Sequence, residues 1–179
     1  MSRFSYLIAK IQSNRVRTRP AVLGVIAGFK QGVLAIQAVN PLAVLNRRHL
    51  LGAIWHAFQS YESHRMITRS LSLEVALFLA GTRQISKALE FCGLSDVLTE
   101  AGLIVIYSSD DVDTSGLERD FKRYFESHEY TVDEFVPFYD IEIAEGITKE
   151  LDLGHYLDLG EQRVLFVLLS RMALLSLVG

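Results

Sequence analysis

Apolar positions along the chain come in short runs, and the period within each run separates strands from helices. Residues 22–29 and 32–39 are apolar runs rich in β-branched side chains, joined by Lys30-Gln31-Gly32. They predict a hairpin that Asn40-Pro41 ends. Ahead of them residues 13–19 are polar and basic, which predicts a fraying basic arm over residues 1–20.

Beyond that break the spacing becomes helical. Asn46 is placed to cap a helix over residues 47–61, where Leu50, Leu51, Ile54 and Phe58 form one apolar stripe that Trp55 broadens. Leu71–Ala80 is apolar on nearly every side except at Glu74, the pattern of a buried helix, and Gly81 supplies a left-handed residue to end it. Thr82 is expected to cap the next helix, residues 83–92, with Ile85, Ala88, Leu89 and Cys92 as its stripe and Gly93 closing it. Residues 103–107 read as a buried strand, 117–125 as an amphipathic helix and 134–139 as a further strand. Residues 141–151 and, after Gly160, 161–178 read as helices. The pattern predicts one α+β domain over residues 21–179, a small and mainly antiparallel sheet packed with several helices and ending in an apolar C-terminal helix.

Length and composition narrow the class. A chain of 179 residues, 50% hydrophobic and 22% charged, buries enough surface for a stable core and is not a disordered chain. The one cysteine, Cys92, excludes an intramolecular disulfide and a cysteine metal cluster and favours a reducing compartment. No secretory signal is expected, because the apolar stretch at residues 4–9 is too short; an organelle transit peptide would suit the acid-free N-terminus but not a strand at 22–29. The apolar run 164–178 falls short of the roughly 20 residues a bilayer needs and has Arg171 in its middle, so no membrane span is expected. The expected location is the cytoplasm, or the nucleus in a eukaryote.

Charge is distributed unevenly. The net charge is −3, yet residues 1–83 hold eleven Lys or Arg against two acids, Glu62 and Glu74, while residues 84–179 hold seven against nineteen. Two readings follow: the basic half attracts a polyanion, or the halves attract each other within one fold. In the helix over 47–61, Arg47, Arg48 and His49 stand at the end where the helix dipole is positive, a small cost that a nearby anion would relieve and a solvated face would tolerate.

Candidate chemistry is sparse. There is no GxxxxGK[ST] and no GxGxxG after a strand. His49, His56, His64, His128 and His155 form no ligand set, and His49 and His56 read as surface or boundary residues. Asp110, Asp111 and Asp113 open like a calcium loop but lack its glycine at the sixth position and its glutamate at the twelfth, so they read as a solvated helix start. Cys92 reads as a buried structural thiol. No catalytic centre, metal or cofactor is expected. Glu74, alone on an apolar helix, needs a partner, and Arg69 or Arg83 could pair with it. Alternatively Arg83 and the free amides at 82–84 form an anion site.

The segments Arg69-Ser-Leu-Ser-Leu-Glu74, Leu77-Phe-Leu-Ala-Gly-Thr-Arg-Gln-Ile85 and Ala88-Leu-Glu-Phe-Cys-Gly93 resemble the kinase-binding subunit of the KEOPS complex, the TPRKB or PRPK-binding-protein family. The resemblance extends over roughly residues 33–178. It implies a non-catalytic subunit that binds an atypical kinase/ATPase directly and a threonylcarbamoyl transferase indirectly. It also implies recruitment of tRNA by its 3′ CCA end for threonylcarbamoyladenosine formation. Charge and motif placement make Arg47, Arg48, Arg69, Gly81, Arg83 and Gln84 the RNA candidates. The all-round apolar C-terminal helix offers Leu165, Leu168, Met172 and Leu175 to the kinase. The rival expectations are a kinase-docking module without RNA binding and an enzyme acting on a nucleotide through Arg69, Glu74 and Arg83.

Overall fold

The computed structural model describes residues 4–135, 137, 141–152 and 160–177. In chain order its elements are β1 (Phe4–Thr18), α1 (Arg19–Gly28), β2 (Val33–Val39), a single 3-10 turn (Pro41–Ala43), α2 (Arg47–Glu62), α3 (Leu71–Ala80) and α4 (Ile85–Cys92). Then come β3 (Val97–Ser108), α5 (Thr114–Ser127), β4 (Thr131–Glu134), α6 (Ile141–Glu150) and α7 (Glu161–Leu177). This is an α+β fold with one antiparallel sheet, as expected, and its contacts divide it into two units.

The first unit spans Met1–Asn40 and Leu94–Phe135. Its sheet has the order β2-β3-β1-β4. Strand β3 lies between two neighbours and is buried from Ala101 to Ser108, which explains its unbroken apolar run. Leu103, Val105 and Tyr107 of β3 share a core with Phe121 and Phe125 of α5 and with Val22, Ile26 and Phe29. Asp113 caps α5 by accepting from the Gly116 amide at 3.0 Å, in keeping with a helix start rather than a cation loop.

Two expectations fail in this unit. Residues 22–29 lie in α1 and its C-cap, not in a hairpin strand. Pro20 sits in the first turn, and the buried residues Val22, Ile26 and Phe29 are spaced four and seven apart. Packing at a helical period overrides the β-branched composition. The proposed arm is instead β1, the longest strand. It pairs with β3 and β4 and buries Ala9 and Ile11, and a bulge lies between Gln12 and Arg17. There the Ser13 hydroxyl accepts from the Arg15 amide and the Arg17 Nε, both at 3.2 Å. The basic side chains that suggest an arm meet acids from the second half of the chain: Lys10 with Glu100 at 3.7 Å, Arg17 with Glu129 at 2.6 Å and Arg19 with Asp96 at 2.7 Å.

The second unit spans Pro41–Gly93 and Val136–Gly179. Asn46 caps α2 by accepting from the His49 amide at 3.0 Å, and α2 packs on α3 and α7. At Gly52 a Cβ would come within 2.7 Å of Leu169 Cδ2 and 3.2 Å of Met172 Sδ, so the missing side chain sets how closely α7 approaches. Helix α3 has its expected bounds, and Gly81 ends it in the left-handed region (φ 61°). Helix α4 starts two residues later than expected. Thr82 forms a local turn, its hydroxyl accepting from the Gln84 amide at 3.2 Å, and does not cap the helix. Ala88 and Cys92 are buried, but Ile85 and Leu89 are exposed. Leu45, Ala144, Ile147, Val164, Leu165 and Leu168 form the core beneath α6 and α7. The strand expected over 134–139 begins where β4 ends, and half of it, residues 136, 138 and 139, lies outside the described residues, as does His155. Among the described residues no helix is long and apolar enough to cross a membrane.

Candidate functional site

Glu74 is fully buried in the first turn of α3, and backbone holds it. The Ile67 amide donates to one carboxyl oxygen at 3.0 Å and the Thr68 amide to the other at 3.0 Å; the Thr68 hydroxyl lies 3.1 Å from that second oxygen. Neither Arg69 nor Arg83 forms an ion pair among the described residues, and both are exposed. The expected charge pair is therefore replaced by a cradle that ties the turn at 67–68 to α3. The hypothetical nucleotide site built on Arg69, Glu74 and Arg83 loses its middle member, whose oxygens face that turn.

His49 is also wholly buried, contrary to its reading as a surface or boundary residue. Its Nδ1 accepts from the Leu45 amide at 3.2 Å and its Nε2 donates to the Leu79 carbonyl at 3.0 Å. Burial pushes its pKa down to about 4, so the ring is neutral and adds no charge to the first turn of α2. His56 is half-buried, with the Ser176 hydroxyl at 2.7 Å and the Phe78 ring stacked at 5.4 Å; burial lowers its pKa too.

The bond from His49 to Leu79 sets the start of α2 beside the end of α3. Arg47 and Arg48 thus share one end of the helical unit with Gly81, Arg83 and Gln84, and the four side chains there are exposed. Arg69 precedes α3 and stands at the opposite end, about 15 Å away along a ten-residue helix. The structure therefore gathers five of the six RNA candidates and separates one. Beside them opens a pocket of about 390 Å³ lined by Gly81, Lys87, Arg171, Glu90, Glu150 and Asp152. Three carboxyls against two cations make it a poor phosphate site, and Gly81 packs against the Arg171 stem, 3.2 Å from where a Cβ would sit.

In α7 the four kinase candidates lie on or beside the inward side, as simple burial of this helix would also have them. Leu165, Leu168 and Met172 are buried and Leu175 is half-buried. The face left open carries Phe166, Leu174 and Leu177, exposed by 67%, 61% and 79%. Their spacing of eight and three residues places them along one side of the helix. An all-round apolar sequence hides which side is inward, and Gly52 of α2 was the available signal.

A family model described as kinase binding protein CGI-121 matches residues 24–174. The chain belongs to that family. No curated protein matches it significantly. The family is described by what it binds, a kinase, which agrees with the resemblance read from the motif segments. The match begins inside α1 and leaves β1 outside it.

Four of the eight basic residues in positions 1–61, namely Lys10, Arg15, Arg17 and Arg19, pair within the fold, so the intramolecular reading of the charge asymmetry holds for β1 and the start of α1. Arg17 in addition lies over the Tyr130 ring, 5.6 Å from its centre. Arg47 and Arg48 form no such pair among the described residues. Cys92 is buried, and its thiol is pushed up to about 12, which suits an inert core residue. Among the described residues no three potential ligands converge on a metal position.

Proposed function

We propose that this chain is a non-catalytic subunit of the KEOPS assembly. It docks on the atypical kinase/ATPase, meets the threonylcarbamoyl transferase only through that partner, and recruits tRNA by its 3′ CCA end for threonylcarbamoyladenosine formation. We place it in the cytoplasm, or also the nucleus in a eukaryote. The observation that carries the docking half is the family match together with the exposed apolar side of α7. Soluble monomers seldom leave several large apolar side chains along one helix side without a partner.

The docking test uses Phe166→Asp combined with Leu174→Asp. Each removed apolar anchor is worth about 1.5–3 kcal/mol, so the pair is expected to weaken kinase co-purification by about 100-fold or more, with the melting temperature little changed. Undiminished co-purification would refute this placement. Aspartate at Leu168 or Met172 would test folding instead, because both are core residues.

The RNA half is carried by the exposed Arg47 and Arg48, with Arg83 at the same end. Wild-type protein is expected to bind full-length tRNA more tightly than tRNA trimmed of its 3′ CCA. Arg47→Glu with Arg48→Glu should weaken binding about tenfold or more and flatten the salt dependence by about one unit of log–log slope for each phosphate no longer neutralised. The rival reading, a docking module without RNA binding, is favoured by the acidic lining of the pocket at Gly81 and by the paired cations of β1. It predicts equal, weak binding of both RNAs and no effect of the double substitution.

A further inference from the structure

We infer that Trp55 is a base-stacking platform on the outward face of α2, taking an unpaired nucleotide of a single-stranded RNA end whose phosphate Arg48 holds. The inference rests on the RNA-recruiting half of the function proposed above.

Helix α2 turns His49, Leu50, Ala53, Ile54, Ala57 and Ser60 inward. Arg48 and Trp55 are seven residues apart, hence within about 20° of each other around the helix and about 10 Å apart along it, on the opposite side. Trp55 is 60% exposed and makes no ring contact among the described residues. An indole left in water forfeits the burial that makes tryptophan worth placing in a fold, and aromatic platforms beside a cation are how unpaired bases are held.

Charge selects the occupant. No acid precedes Glu62 on α2, and Arg47 and Arg48 form no ion pair among the described residues. The capping bond from the His49 amide goes to Asn46, so the cations and not the helix terminus supply the attraction. Gln59 follows Trp55 by one turn, the half-buried Leu51 and Phe58 flank it, and Glu62 stands seven residues beyond, so the positive charge beside the ring lies toward the start of α2. An exposed aromatic ring about 10 Å along the helix from a guanidinium outside any ion pair matches a nucleobase with its phosphate.

Trp55 is the only tryptophan of the chain, so its fluorescence reports the site directly. A short single-stranded RNA ending in CCA, titrated into the full chain, is expected to quench that emission to saturation, and blunt double-stranded RNA is not. Trp55→Ala should weaken binding of the oligonucleotide and of intact tRNA by about 5- to 100-fold, and Trp55→Phe should recover most of it. Saturable binding of the oligonucleotide without quenching, or an unchanged affinity in Trp55→Ala, overturns the inference while leaving RNA recruitment intact. Loss of kinase co-purification in Trp55→Ala with RNA binding unchanged overturns it in favour of a protein contact. Failure of the wild-type chain to distinguish intact from trimmed tRNA refutes the recruiting function itself, and this inference with it.

Discussion

Glu74→Ala is expected to lower the unfolding free energy by roughly 3–4 kcal/mol, a large fraction of the stability of a domain this size. The substitution leaves the amides of Ile67 and Thr68 without their acceptor and opens a void in a helix buried on nearly every side. Glu74→Gln is expected to cost nearly as much, because one of the two oxygens becomes an NH2 group facing an N–H donor. Arg69→Ala and Arg83→Ala should each stay within about 0.5 kcal/mol of wild type, as exposed residues outside any ion pair. Urea unfolding of the four variants decides the matter. If Arg69→Ala or Arg83→Ala destabilised as much as Glu74→Ala, the carboxyl would be held by an arginine and the backbone cradle would be refuted.

The contrast between these variants shows which parts of the molecule could be read from sequence. Helices α2 and α3 were legible because their ends are written locally: Asn46 accepts from the amide three residues on, and Gly81 takes the one backbone conformation other residues avoid. Strand β1 was not legible, because what orders it is pairing with residues about 80 to 120 positions away, including Glu100 and Glu129. Its cations look like a solvated arm until those acids are in place. Helix α1 misled for a different reason. Val22, Val25 and Ile26 favour strands by type, but burial at a four-residue period against the sheet is worth more than the propensity difference.

The candidate site divides along the same line. That Arg47, Arg48 and Arg83 are exposed followed from their charge, and the buried state of Glu74 followed from its neighbours. The identity of its partner did not, since a backbone amide leaves no mark in a side-chain pattern. The inward side of α7 was equally hidden. A helix apolar around most of its circumference has no periodicity to read, and close approach at Gly52 chooses the side that carries Leu169 and Met172. The side of α7 left exposed is therefore that of Phe166, Leu174 and Leu177, while Leu165, Leu168 and Met172 are buried.

Acidification from pH 7 to 4 is expected to remove roughly 3 kcal/mol of stability through His49 alone. The folded ring has a pKa of about 4 against an ordinary 6.5, so between those values the unfolded chain binds a proton that the folded chain refuses. The stabilising term is fully present above pH 6.5 and is lost as pH falls toward 4. The geometry gives the cause. A proton on Nδ1 would face the Leu45 amide, a second donor 3.2 Å away, and would place a charge where no solvent reaches. The lowered pKa of His56 acts with the same sign in the same range, and it is weaker for a half-buried ring. Glu129, held below its usual range first by its hydrogen bond from Arg17, acts with the same sign, its contribution being present at neutral pH and lost as pH falls through the ordinary carboxylate range and below. His49→Gln separates these contributions. The variant loses stability at pH 7, because its amide cannot reproduce both ring hydrogen bonds, yet its unfolding midpoint should change much less between pH 7 and 4.5 than that of wild type. Parallel pH profiles for the two proteins would show that the buried imidazole is not the group that titrates.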